Sequence, residues 1–230
     1  SIYNPDTKKR WEEIVKPISK GTQNELLYQR WIKHNEEVVD SLSNGTLGYV
    51  HIRSMGDASY RDVYADILGK YNRRKGIVID TRFNGGGRLH EDIEILFSGE
   101  KYLEQVIRDS VACVMPSRRY VKPSIMIMCE ANYSNAHGTP WVYKHKKIGK
   151  LVGMPVPGTM SSVTWETLQD TDLYFGLPVV GYRTQEGYYL ENSQLEPDIK
   201  VRNTPEKLAV GIDEQLEAAV KELMKDVENY

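Results

Sequence analysis

The chain has 230 residues, enough for one large domain or one domain with a small satellite. Hydrophobic residues make up 40% and charged residues 27%, and 30 basic residues against 32 acidic leave a net charge of −2, so no basic surface argues for a nucleic-acid partner. The longest apolar run, residues 124–129, is the length of a buried strand and far short of the roughly 20 residues that cross a bilayer.

Residues 7–44 read as helical. Thr22-Gln23-Asn24-Glu25 has the form of a capping box, Leu26, Leu27, Trp31, Ile32, Val38 and Val39 follow at helical spacing, and Asn44-Gly45 marks the end. Residues 47–53 alternate like a strand, and 58–71 fit an amphipathic helix with Val63, Ile67 and Leu68 on its apolar face. Gly76–Asp80 is a short apolar run of the kind buried on both faces. A glycine cluster, a helix near 88–98 and an alternating strand over 101–108 come next. The strand 124–129 leads into a helix near 135–147, and Gly149–Gly153 is another short strand. Residues 160–190 read as several short strands, and a last helix spans about 213–227, opened by Asp213. Strands alternating with helices predict an α/β domain with a largely parallel sheet over 46–230, preceded by a helical segment or linker over 1–45. There is no internal repeat. The chain starts with Ser1 rather than Met and is read as a piece excised from a longer protein, so a missing targeting segment says nothing about location. Cys113 and Cys129 form no disulfide framework and have no metal-ligand spacing; they read as two buried thiols.

Three segments can carry chemistry. Asp80-Thr81-Arg82-Phe83-Asn84-Gly85-Gly86-Gly87 follows a buried strand, and its glycines allow positive φ and close approach of a ligand to backbone amides. A dinucleotide fingerprint would need glycine where His90 stands, and a phosphate loop would need Gly-Lys-Ser/Thr. Glu130 to Gly138 joins a strand to a helix, which exposes Ser134 at the carboxyl end of the sheet beside a helix N-terminus. Judged on that segment alone, Ser134 reads as a helix N-cap. Residues 190–199 hold Glu191 and Glu196, which locally read as solvated acids.

Taken together and in order, "GYVHIRSM", "GIVIDTRFNGGG", "CEANYSNAHG", "GKLVGMPVPGT" and "LENSQLEPDI" resemble the successive signatures of the tail-specific (C-terminal processing) protease family in its tricorn-like branch, over roughly residues 45–225. The resemblance implies a crotonase/Clp-protease-like spiral of β-β-α units and a serine peptidase working through an acyl-enzyme. It puts Ser134 on the nucleophile, with Glu130 on the glutamate four residues before it. It puts the Asn135 amide on one side of the oxyanion hole, Gly87 or Gly86 on the other, and Glu191 on the acid of the tetrad. Sliding the register by two places would put Ala136 on the nucleophile. Thr159 stands where a bacterial Ser–Lys dyad has its lysine, which argues against that mechanism. The tricorn-like branch takes its histidine from a separate upstream helical domain followed by a PDZ module, and neither is recognisable in this chain.

A serine needs a base within hydrogen-bond reach. His137 lies one helical turn past Ser134 and is the alternative base, with pocket lining its other reading. His90 follows the glycine turn and is expected to line the site, His51 to be exposed or structural, and His34 and His145 to lie on the surface. No histidine has spacing for a metal, and no cofactor is expected. The expected partners are a peptide or unfolded-protein substrate, upstream helical and PDZ-like domains of the same polypeptide, and a homo-oligomer. The resemblance leans to a bacterial cell envelope, with the cytoplasm also open. Two rivals stand: a non-catalytic peptide-binding homologue that keeps the fold, and an acyl-CoA enzyme of crotonase type, against which the Glu191 loop counts.

Overall fold

The computed structural model describes all residues, 1–230. They divide into two compact units, Ser1–His34 and Asn35–Tyr230.

In the first unit, β1 (Ile2–Tyr3) pairs antiparallel with β2 (Arg10–Trp11), and α1 (Lys20–Leu42) begins. The expected helix from residue 7 is therefore corrected: residues 12–19 are irregular and exposed. Pro17 disfavours helical backbone at Lys16. The cap is Ser19, whose Oγ accepts the Thr22 amide at 3.1 Å, and Thr22 lies inside the helix.

In the second unit, α1 runs from Asn35 to Leu42 and stops where Asn44 and Gly45 take φ of 47° and 72°. β3 (Leu47–His51), β4 (Gly76–Asp80), β7 (Ser124–Met128), β8 (Lys150–Gly153) and β11 (Ile199–Lys200) build a five-stranded parallel sheet in the order β11-β8-β7-β4-β3. This is the α/β architecture expected from the alternation of short apolar runs with helices. α2 (Asp57–Ala65), continued by a π-helical turn at Asp66–Lys70, links β3 to β4. α3 (His90–Phe97) follows β4, α4 (Asn135–His145) links β7 to β8, and α5 (Pro205–Ala209) and α6 (Glu214–Glu228) end the chain.

The period of two divides the sheet's faces. Ile77, Ile79, Met126 and Met128 join a core with Val63, Ile93, Leu96, Ala136 and Tyr143 from α2, α3 and α4. Their neighbours Val78, Ile125 and Ile127 are equally buried on the face where α6 packs. Leu216, Ala219, Val220 and Leu223 of α6 lie on one helical face, and the Asp213 carboxylate caps the helix by accepting the Leu216 amide at 3.0 Å.

Two antiparallel hairpins stand apart from this sheet. β5 (Leu103–Ile107) pairs with β6 (Ser110–Met115), a partner that the alternation over 101–108 does not announce. β9 (Ser161–Thr167) pairs with β10 (Tyr174–Gly181). Of the two thiols, Cys129 is buried as expected and Cys113 is only half-buried, because it sits on β6.

Candidate active site

The carboxyl ends of β4, β7 and β8 lead into three turns that are hydrogen-bonded to one another. The Tyr133 amide donates to Asn84 O at 3.0 Å, and the Ser134 amide donates to Thr159 Oγ1 at 3.1 Å. A fourth segment, 190–195, is pinned to the third: Asn192 N donates to Gly158 O at 2.9 Å, and Val156 and Leu195 exchange backbone bonds of 3.0 Å. The glycine motif, Ser134, Thr159 and Glu191, spread over the chain from Asp80 to Glu191, thus share one end of the sheet.

Ser134 has φ 54° and ψ −123° and forms no side-chain capping bond to α4. An L-residue occupies that conformation only at a cost of about 1–3 kcal/mol, and such strain concentrates at functional turns. A serine on a sharp strand-to-helix turn presents its hydroxyl at the top of the sheet. The N-cap expectation drawn from the local segment does not hold, since the hydroxyl caps nothing. Ala136, the residue of the shifted register, is buried in the core.

The glycines are required by what lies against them. Gly86 has φ 98°, and a Cβ there would stand 2.7 Å from Ser134 Cβ and 3.1 Å from Asn135 N. Gly87 has φ 139°, and its Cβ would meet Met55 O at 2.1 Å. Their amides differ. Gly86 N already donates to Asn84 Oδ1 at 2.8 Å, whereas the amides of Gly87 and Asn135 make no hydrogen bond within the protein. Two unbonded N–H groups on either side of the Gly86–Ser134 contact are what an oxyanion needs.

Glu191 is half-buried, and its Oε2 is enclosed without a hydrogen-bond partner. His137 is fully buried, and neither ring nitrogen has a partner, so it makes no bond to the Ser134 hydroxyl. Burial lowers its pKa, partly offset by the charge of Glu191. His90 is tied to the site, with Nδ1 2.7 Å from Asn135 Nδ2 and its ring edge-on to Tyr182 at 6.1 Å. His51 Nε2 lies 3.0 Å from Arg82 O. Glu130 is exposed and pairs with Arg202 at 3.0 Å.

Sequence reasoning passed over the groups that hold the turns in place. Asp80 and Arg82 form a buried pair, with Nη2 to Oδ2 at 2.6 Å and Nε to Oδ1 at 3.0 Å. The Tyr49 hydroxyl donates to Asp80 at 2.8 Å, and Arg82 Nη1 reaches Asp213 at 2.7 Å. Burial alone would raise the Asp80 pKa, but the Arg82 guanidinium outweighs it and holds the carboxyl below its ordinary range. Three buried asparagines lock the turns. Asn84 Nδ2 donates to Ile52 O at 2.7 Å, Asn132 Nδ2 donates to Thr81 Oγ1 at 2.9 Å, and Asn135 Oδ1 accepts the Leu89 amide at 2.8 Å. Asparagine recurring in both turn motifs was the available signal.

Thr159 serves as an acceptor for the backbone amide of Ser134. Thr159→Val keeps the shape and removes that acceptor, and should lower stability by about 1 kcal/mol. Urea unfolding of the two proteins measures it, and an unchanged midpoint would show that the bond contributes nothing.

A cavity of about 510 Å³, lined by Ile67, Cys113, Tyr120 and Lys122 among others, contains none of these residues. The model of Peptidase family S41 matches residues 46–201. The chain belongs to peptidase family S41. It is 27% identical over 215 residues to the tricorn protease of Thermoplasma volcanium, which covers 89% of this chain and 20% of that protein. The crystal structure of the tricorn protease superposes with a TM-score of 0.78 at 24% identity, over 88% of this chain and 20% of that one. The photosystem II D1 C-terminal processing protease gives a TM-score of 0.51 at 18% identity, over 68% of this chain and 42% of that one. The chain spans about a fifth of the length of the curated tricorn proteases it matches, and both solved structures share the S41 fold.

Proposed function

We propose that this chain is the nucleophile-bearing domain of a serine peptidase, residues 46–230, in which Ser134 forms an acyl-enzyme with a peptide carbonyl. The observation that carries the reading is the strained turn of Ser134 set against the unbonded amides of Gly87 and Asn135. Ser134 Oγ attacks, its proton passes to a base, and the oxyanion settles between those two amides, each worth about 3 kcal/mol. The base then returns the proton to the departing amine, and water releases the acyl group. Gly86 is the weaker candidate for the oxyanion because its amide is occupied.

The base comes from outside the chain. His137 is sealed and unbonded, and His90 is bonded to Asn135, so neither is offered to Ser134 as it stands. A histidine from an upstream domain of the same polypeptide completes the site, with Glu191 and its enclosed free oxygen oriented to support it. The substrate is a peptide or unfolded chain, cut internally or near a C-terminus, and the tricorn likeness favours a homo-oligomer.

Two outcomes are expected. A fluorophosphonate should label the full-length polypeptide at Ser134. This chain alone should hydrolyse peptides slower by roughly 10⁴-fold or more, because an unassisted serine is a weak nucleophile. Equal turnover by the isolated chain would sink the supplied histidine and return His137 or His90 to consideration.

A further inference from the structure

A cavity of about 150 Å³ lies between α4, Met160 and the segment from Tyr182 to Leu190. Its walls come from the elements that fix the nucleophile. Gly138 lies four residues past Ser134 on α4, Met160 follows the Thr159 that accepts the Ser134 amide, and Leu190 precedes Glu191. His90, bonded to the Asn135 side chain, forms another edge, and Trp141 and Val142 of α4 complete it.

The walls are mainly apolar and close, with His90, Tyr182, Arg183 and the buried Thr184 hydroxyl the polar groups among them. Met160 and Leu190 are 3% and 5% exposed, so they form floor rather than surface. Met160 lies where Gly138 has no side chain; a Cβ there would stand 2.5 Å from Met160 Cε. No aspartate or glutamate lines the cavity, and its only charged liner is the exposed Arg183. A lysine or arginine side chain entering it would leave water without a counter-charge, and an acid would exchange water for apolar walls. A cavity of about 150 Å³ lined by apolar side chains is enough to hold benzene. Met160 and Tyr182, another liner, are the residues flanking the β9–β10 hairpin, so two walls are carried on the feet of one element.

We infer that this cavity receives the side chain of the residue whose carbonyl Ser134 attacks, and that it selects an apolar side chain of leucine to phenylalanine size. The inference rests on the serine-peptidase reading above. Met160, Leu190 and Val142 then set the specificity, by volume and by the absence of charge.

Peptides differing only at the residue before the cut, compared by kcat/KM in the full-length polypeptide, test this. Leucine and phenylalanine should exceed glycine, lysine and aspartate by about tenfold or more. Met160→Ala enlarges the cavity and should move the optimum toward tryptophan. Val142→Glu sets a carboxylate on a half-buried wall and should raise cleavage after lysine by about tenfold at leucine's expense. Equal rates after leucine, lysine and aspartate, or a profile that neither variant moves, overturns the inference. The Met160 methyl resonance of the same protein gives a readout that needs no catalysis. N-acetyl-leucinamide should shift it and N-acetyl-lysinamide should not, and a leucine amide without effect also overturns the inference. A fluorophosphonate that leaves Ser134 unlabelled instead defeats the peptidase reading, and the Met160 methyl then decides the pocket alone.

Discussion

Ser134→Ala in the full-length polypeptide should abolish peptide hydrolysis, by roughly 10⁶-fold in kcat, and Ser134→Gly should abolish it equally while leaving a more stable protein than Ser134→Ala. The two variants share the loss of the hydroxyl and differ in the backbone. At φ 54° and ψ −123° an alanine keeps the strain of the serine, about 1–3 kcal/mol, and a glycine does not. Glycine returns part of the gain as unfolded-state entropy, about 0.4–1 kcal/mol. The net expectation is about 1 kcal/mol in favour of Ser134→Gly, or about 2–4 °C in Tm for a chain of this size. Thermal unfolding beside turnover separates the roles. Retained turnover in Ser134→Ala refutes the nucleophile, and a Ser134→Gly protein less stable than Ser134→Ala refutes the strain.

That strain explains why Ser134 could not be read from its own segment. Whether a serine at a strand-to-helix junction caps or attacks depends on its φ and ψ. Those are set here by Gly86 against its Cβ and Thr159 on its amide, at separations of 48 and 25 residues. The sheet was more legible, because Ile77–Ile79 and Ile125–Met128 are apolar runs buried on both faces. α6 was legible to within a residue, since Asp213 caps it and its apolar residues fall on one face. Partners were not legible. β6 is half or fully exposed along its length, so no burial pattern marks it. Residues 7–19 failed for a different reason: an apolar residue every few positions passes for helical periodicity where Pro17 forbids it and nothing is buried. Nothing in the sequence pairs Asp80 and Arg82 with Asp213, and only the fold brings them together across 133 residues.

Asp80→Ala should be the most destabilising single change at the site, by about 3–5 kcal/mol, because it strips the main counter-charge from a guanidinium that is 3% exposed. Asp80→Asn should be milder, since an amide oxygen still accepts the Tyr49 hydroxyl that now donates to Asp80 at 2.8 Å. pH gives the sharper test. The folded pKa of Asp80 lies below the ordinary value of about 3.9, so the native state holds fewer protons than the unfolded chain near that pH. Its stabilisation is complete above that pH and is lost as pH falls through the folded value. The stability difference between wild type and Asp80→Asn should therefore be constant from pH 7 to about 5 and shrink below about 4. Urea unfolding across that range measures it, and a gap that stays constant to pH 3 would refute the charge as its origin. Asp213→Asn is the control. It contacts the same guanidinium, but the carboxylate is 12% exposed, and asparagine preserves the cap on Leu216 N. Its cost should stay under about 2 kcal/mol, which would place the weight of the network on Asp80, at the end of β4, where the glycine turn toward Ser134 begins.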